Sequence, residues 1–173
     1  MGVFKKSWLP NFFTFSNLAC GVVAVMLLFK AEYRWAAFFI LVAALADRYD
    51  GKVARYLKID SAIGKELDSL ADLISFGLAP AALAFQLHDL LQWGMGGYAL
   101  VILFPLCGAY RLARFNVTPF DGAFYGLPIT FAGLSLALYC LLGSYYPLPP
   151  PLTALLMLTL SYLMVSRHRI QKM

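Results

Sequence analysis

The sequence predicts an all-α integral membrane protein with six transmembrane helices. Three observations predict it. The 173-residue chain is 61% hydrophobic and only 13% charged, against about 25% charged residues in an ordinary soluble domain. Its apolar residues gather into six runs, each near the ~20 residues a helix needs to cross a bilayer or toward the lower limit of ~17. With the N-terminus placed inside, all of its 14 basic residues except Lys30 and Arg34 fall on the cytoplasmic side of those runs. That is the positive-inside pattern.

The six helices are predicted over 12–29, 33–56, 65–87, 97–115, 127–142 and 151–166. The first follows Lys5, Lys6 and Trp8, a basic and aromatic start suited to headgroups. The second opens at Tyr33, Arg34 and Trp35, carries WAAFFILVAALA, and runs into a charged stretch. The third leaves that stretch through LISFGLAPAALAF. The fourth follows Trp93 and a loop predicted around Gly94, Gly96 and Gly97, and ends with Arg111 and Arg114. The last two are the shortest, and PLPPP at 147–151 separates them, beside Tyr145 and Tyr146. The charge of +5 sits at the ends of apolar runs, where it meets headgroups and not nucleic acid. Both termini and the 48–65 connection are predicted to be cytoplasmic, in a multi-pass plasma-membrane protein. Residues 1–173 read as one domain with a short interfacial segment at 1–11, with no internal repeat.

The segment DRYDGKVARYLKIDSAIGKELDSLAD at 47–72 breaks the apolar pattern. It holds six of the nine acids. Carboxylates are costly in hydrocarbon, so those within membrane segments are rare and usually functional. Asp47 and Asp50 are three apart and share a helix face, with Gly51 and Ala54 on much the same stripe. Gly64, Asp68 and Asp72 are each four apart and form a second stripe. With a short turn near Lys58 to Ser61, the second and third helices run antiparallel and face each other through the two Asp pairs.

Four converging carboxylates need cations, and their oxygens suit hard divalent ions such as Mg²⁺ or Mn²⁺. Facing helices do build two-metal carboxylate sites, and such ions stabilise displacement at phosphorus. A helical glycine is about 1 kcal/mol worse than alanine. Gly51 and Gly64 therefore fit either close helix packing or a ligand cavity. Arg55 offers a fork of donors for phosphate, or a headgroup anchor. Arg48 and Lys52 fit both of those roles, and Asp60 and Glu66 read as turn or surface charges. Arg111 and Arg114, three apart at one helix end, can point to one side and suit a carboxylate or a phosphate, or positive-inside anchoring. Asn116, Thr130 and Ser75 are weaker polar candidates.

Other residues carry little. Cys20, Cys107 and Cys140 are widely spaced in apolar runs and read as packing residues. His88 and His168 are isolated near helix ends. The N-terminus shows no signal-peptide cleavage pattern, and Lys6 breaks the myristoylation pattern.

The spacing Asp47-x2-Asp50-Gly51-x2-Ala54-Arg55-x8-Gly64-x3-Asp68-x3-Asp72 resembles the signature of the CDP-alcohol phosphotransferase family. PNFFTFSNLACG at 10–21, GKELDSLADLISFGLAPA at 64–81, RLARFN at 111–116 and GLPITFAG at 126–133 resemble its phosphatidylserine synthase branch. The resemblance implies six membrane helices with the signature across the second and third, and a homodimer. It implies that Asp47, Asp50, Asp68 and Asp72 hold two divalent ions, Mg²⁺ or Mn²⁺. Asp47, Gly51, Ala54, Arg55 and Gly64 would line the CDP site. Asp72 would also take the proton from the acceptor hydroxyl. The implied substrates are CDP-diacylglycerol and L-serine, and the implied products are phosphatidylserine and CMP. Another acceptor (glycerol 3-phosphate or inositol phosphate) or an archaeal ether-lipid donor stays open. A cation transporter would also explain intramembrane acids, but it should show paired repeats or broken helices at the midplane.

Overall fold

The computed structural model describes residues 8–57, 62–118, 124–166 and 169–170, with backbone alone at 8–11, 50, 54, 55, 57, 62, 124, 125, 169 and 170. Helix α1 spans Trp8–Leu28 and α2 spans Tyr33–Leu57. Helix α3, Ala62–Asp72, continues through a π-helical stretch, Leu73–Leu78, into α4, Ala79–Leu87. A 3₁₀ turn at Leu90–Trp93 precedes α5, Met95–Val117. Helices α6, Ile129–Gly143, and α7, Pro150–Val165, follow. Strand β1, Phe124–Tyr125, pairs antiparallel with β2, Arg169–Ile170, setting Phe124 opposite Ile170. With α3, the π stretch and α4 forming one rod, six helical rods occupy the described residues, close to the six predicted ranges.

Several helix starts differ from expectation. Gly96 and Gly97 lie inside α5 and not in a loop; only Gly94 turns the chain, at φ +56°. A Cβ on Gly97 would stand 2.0 Å from the Leu90 carbonyl oxygen. This glycine therefore answers a close backbone approach, and not a turn. Helix α6 starts after Pro128 and not before it, and α7 takes Pro150 into its first turn, where a missing N–H breaks no helical bond.

The exterior is unlike that of a soluble protein. Large apolar side chains face outward: Phe12, Phe15 and Met26 on α1, Ile102 and Leu106 on α5, Leu155 and Leu158 on α7. Alanines are frequent inside, among them Ala36, Ala37, Ala43, Ala81 and Ala137, beside larger buried residues such as Phe76, Phe104 and Ile40. Small interior residues let helices approach closely where lipid covers the exterior. Ile63–Leu87 and Met95–Val117 are long and apolar enough to cross a membrane. The chain is a membrane-associated helical protein.

The two ends of the bundle differ. At one end Arg34 donates from Nη2 to the Ser144 carbonyl at 3.2 Å and lies over Tyr145 at 4.3 Å. Gly143 makes room there for His88. Trp35, Trp93, Tyr145 and Tyr146 are exposed. At the other end Lys65 donates to the Asn116 carbonyl, and β1 pairs with β2. That second end carries Asp47, Asp68 and Asp72.

Candidate active site

Helix α2 presents Asp47, and α3 presents Asp68 and Asp72 one turn apart. Each offers a carboxylate oxygen, and these oxygens all lie within 4.8 Å of one another. Asp47 and Asp68 are half-buried and Asp72 is buried. The predicted convergence of the two stripes is thus present for these three. The side chains of Asp50, Ala54 and Arg55 lie outside the described residues, as do Lys58 to Ser61, including Asp60, and Arg167 with His168.

The donor set fits a divalent cation. Three hard carboxylate oxygens, gathered from two helices and partly withdrawn from water, suit Mg²⁺ or Mn²⁺ and not a soft metal. Gly51 is exposed, and no described atom beyond its own stretch of helix lies within 4 Å of a Cβ built on it. Helix packing among the described residues therefore does not account for that glycine. Gly64 is half-buried on the same face of α3 as Asp68.

Asp72 is the most buried of the three acids. From α1, Asn17 Nδ2 donates to its Oδ1 at 3.0 Å. From α5, Arg111 is close enough for its charge to act on Asp72. Arg111 is buried at 8% exposure and lies over the Phe115 ring. Its Nε has no hydrogen-bond partner among the described residues. Buried donors in folded proteins are seldom left open in this way.

Arg114 lies differently. Its Nη1 donates to the Val165 carbonyl at 3.0 Å and its Nη2 to the Ser166 carbonyl at 3.4 Å. These bonds satisfy carbonyls at the end of α7, which a helix leaves open. Gly126, at φ +73°, lies against the same corner: a Cβ there would be 2.4 Å from the Met164 carbonyl oxygen. So the two arginines, three apart in sequence, serve different surroundings.

The weaker polar candidates sort in the same way. Asn116 donates to Ser69 Oγ at 3.0 Å and Glu66 Oε1 at 3.3 Å, tying the end of α5 to α3. Ser75 is buried in the π stretch and donates to the Asn17 carbonyl at 2.9 Å. Thr130 is half-buried at the start of α6. The three cysteines are free, and Cys140 is fully buried. His88, at the far end, is held below the ordinary imidazole range, mainly by burial.

Sequence reasoning gave Asn17 no role. The available signal was a carboxamide in the middle of an apolar run, inside the PNFFTFSNLACG stretch. It also missed the π turn, which follows Asp72 directly; such turns are frequent at functional sites.

Comparison with known proteins identifies the family. The family described as CDP-alcohol phosphatidyltransferase matches residues 7–166. The chain is 36% identical over 162 residues to the CDP-diacylglycerol–serine O-phosphatidyltransferase of Bacillus subtilis, covering 93% of this chain and 88% of that protein. It is 36% identical over 140 residues to the protein of that name in Helicobacter pylori, covering 79% of this chain but 59% of the relative. It is also 36% identical over 164 residues to the archaetidylserine synthase of Methanothermobacter thermautotrophicus, covering 91% of this chain and 67% of the relative.

Proposed function

This chain belongs to the CDP-alcohol phosphatidyltransferase family, and from that premise we propose that it transfers the phosphatidyl group of CDP-diacylglycerol to the hydroxyl of L-serine, giving phosphatidylserine and CMP. The observation that carries the reading is the meeting of Asp47, Asp68 and Asp72 within 4.8 Å, inside a chain whose relatives bear serine-transferase names.

In this reading residues 1–173 form a single domain whose six rods all cross the bilayer, with the signature spanning the second and third. Both termini and the acidic end face the cytoplasm, where serine and CMP dissolve. Asp47, Asp50, Asp68 and Asp72 would hold two divalent cations, Mg²⁺ or Mn²⁺. When bound, these supply charge neutralisation for the pyrophosphate and for the departing CMP. Gly51, Ala54, Arg55 and Gly64, with Asp47, line the CDP site. Asp72 accepts the proton of the serine hydroxyl as its oxygen bonds to the phosphorus carrying diacylglycerol, and the bond to the CMP oxygen breaks. Holding both reactants beside one carboxylate supplies most of what such a displacement requires. The open Nε of Arg111 suits the serine carboxylate, while Arg114 sets the frame through the α7 carbonyls. The active form is a homodimer.

The archaeal relative favours a second reading of the donor. Its name keeps serine while changing the lipid, so an ether-linked donor is compatible with the same site. The deciding experiment gives purified protein CDP-diacylglycerol and Mg²⁺ or Mn²⁺ with labelled serine, glycerol 3-phosphate or inositol phosphate, and follows CMP and labelled lipid. Serine should enter lipid with one CMP released per product. CMP release with glycerol 3-phosphate and none with serine would replace the acceptor.

A further inference from the structure

We propose that Asn17 of α1 is a positioning residue for Asp72, pinning one carboxylate oxygen so that the other keeps a fixed direction. The inference rests on the reading of Asp72 as a metal ligand and proton acceptor.

The geometry comes from two sequence stretches that the fold brings together. Asn17 Nδ2 donates to Asp72 Oδ1 at 3.0 Å across 55 residues of chain. Asn17 is fully buried and Asp72 is 7% exposed. The asparagine is itself held. Its backbone carbonyl oxygen accepts from Ser75 Oγ at 2.9 Å. One turn further on, Gly21 lies so close to the π stretch that a Cβ there would stand 2.9 Å from Ser75 Cα. Helix α1 and the π stretch are thus locked where Asn17 reaches Asp72. A carboxylate bonded at one oxygen no longer spins freely about its last torsion.

Packing alone does not account for this side chain. Asn17 Oδ1 is buried without a hydrogen-bond partner among the described residues, which makes the carboxamide an expensive filler. Leucine would occupy similar space without that penalty. What leucine lacks is the N–H aimed at Asp72. Partners that orient ligating carboxylates typically contribute about 10–100-fold in metal affinity or activity.

The test compares Asn17→Leu and Asn17→Gln with the parent, in detergent and without substrate, by Mn²⁺ titration read by electron paramagnetic resonance, together with thermal melting. The leucine variant should melt near the parent and bind Mn²⁺ about 10–100-fold more weakly. The glutamine variant, which keeps the carboxamide, should recover part of the loss. Should the leucine variant fail to fold, Asn17→Ser, too short to reach Asp72, is expected to show the same loss. A leucine or serine variant with parental Mn²⁺ affinity would overturn the proposal, as would a glutamine variant no better than leucine. A parent protein that binds no Mn²⁺ would overturn the metal reading as well, so the two failures are distinguishable.

Discussion

At Asp72 four elements act on one side chain: its own helix, Asp47 of α2, Asn17 of α1 and Arg111 of α5. If this carboxylate accepts the serine proton, Asp72→Asn should lower kcat by about 10²–10⁴-fold, the usual contribution of a general base. CMP release under saturating serine measures it, and a near-parental kcat would remove Asp72 from that role. Arg111 and Arg114 predict opposite phenotypes. A lost charge-assisted bond to the serine carboxylate corresponds to ~1.5–3 kcal/mol, so Arg111→Ala should raise the serine KM by about tenfold or more. Arg114→Ala should instead lower the melting temperature, because it frees the α7 carbonyls of Val165 and Ser166. An unchanged serine KM in the Arg111 variant would move acceptor binding elsewhere. The sequence showed both arginines at one helix end, but not that one is buried within range of the Asp72 charge and the other bonds to the end of α7. Spacing of three fixes a shared side of a helix, and neighbours from other elements decide the rest.

The π stretch Leu73–Leu78 shows how elements, and not single residues, set the site. It begins right after Asp72 and lies against α1 at Gly21 and α6 at Gly133. A Cβ on Gly133 would stand 2.3 Å from the Phe76 carbonyl oxygen and 2.7 Å from Phe76 Cα. Backbone cannot swing aside as a side-chain tip can. Gly133→Ala should therefore cost about 1–3 kcal/mol, the range for overpacking, and should reduce turnover by displacing the turn beneath Asp72. Gly108→Ala is the comparison: its nearest contact, at 2.4 Å, is the Ile129 Cδ1 methyl, a side-chain end. Equal melting temperatures for the two variants would sink this account. The helices themselves were legible from runs of apolar residues. The π turn was not, since its extra residue per turn leaves no period in so uniformly apolar a segment as LISFGL.

Across the whole molecule, orientation and packing follow from lipid as solvent. Two surface positions report the sides. Glu32 lies in the turn between α1 and α2, and Thr118 lies just past α5, and both are exposed. In intact cells a membrane-impermeant maleimide should label Glu32→Cys, and should label Thr118→Cys only after permeabilisation. The reverse pattern would invert the proposed topology.

By itself, the sequence determined the helical class, the approximate rods and the acids that share a face. Each of these depends on local period and on the energy of placing a residue in hydrocarbon or water, and both are written along the chain. Tertiary structure alone decided that Asn17 meets Asp72, that Arg111 and Arg114 part company, and that glycines at 97 and 133 admit a neighbouring backbone. Those facts depend on contacts between different elements, most of them between residues tens of positions apart, for which helical periodicity carries no information.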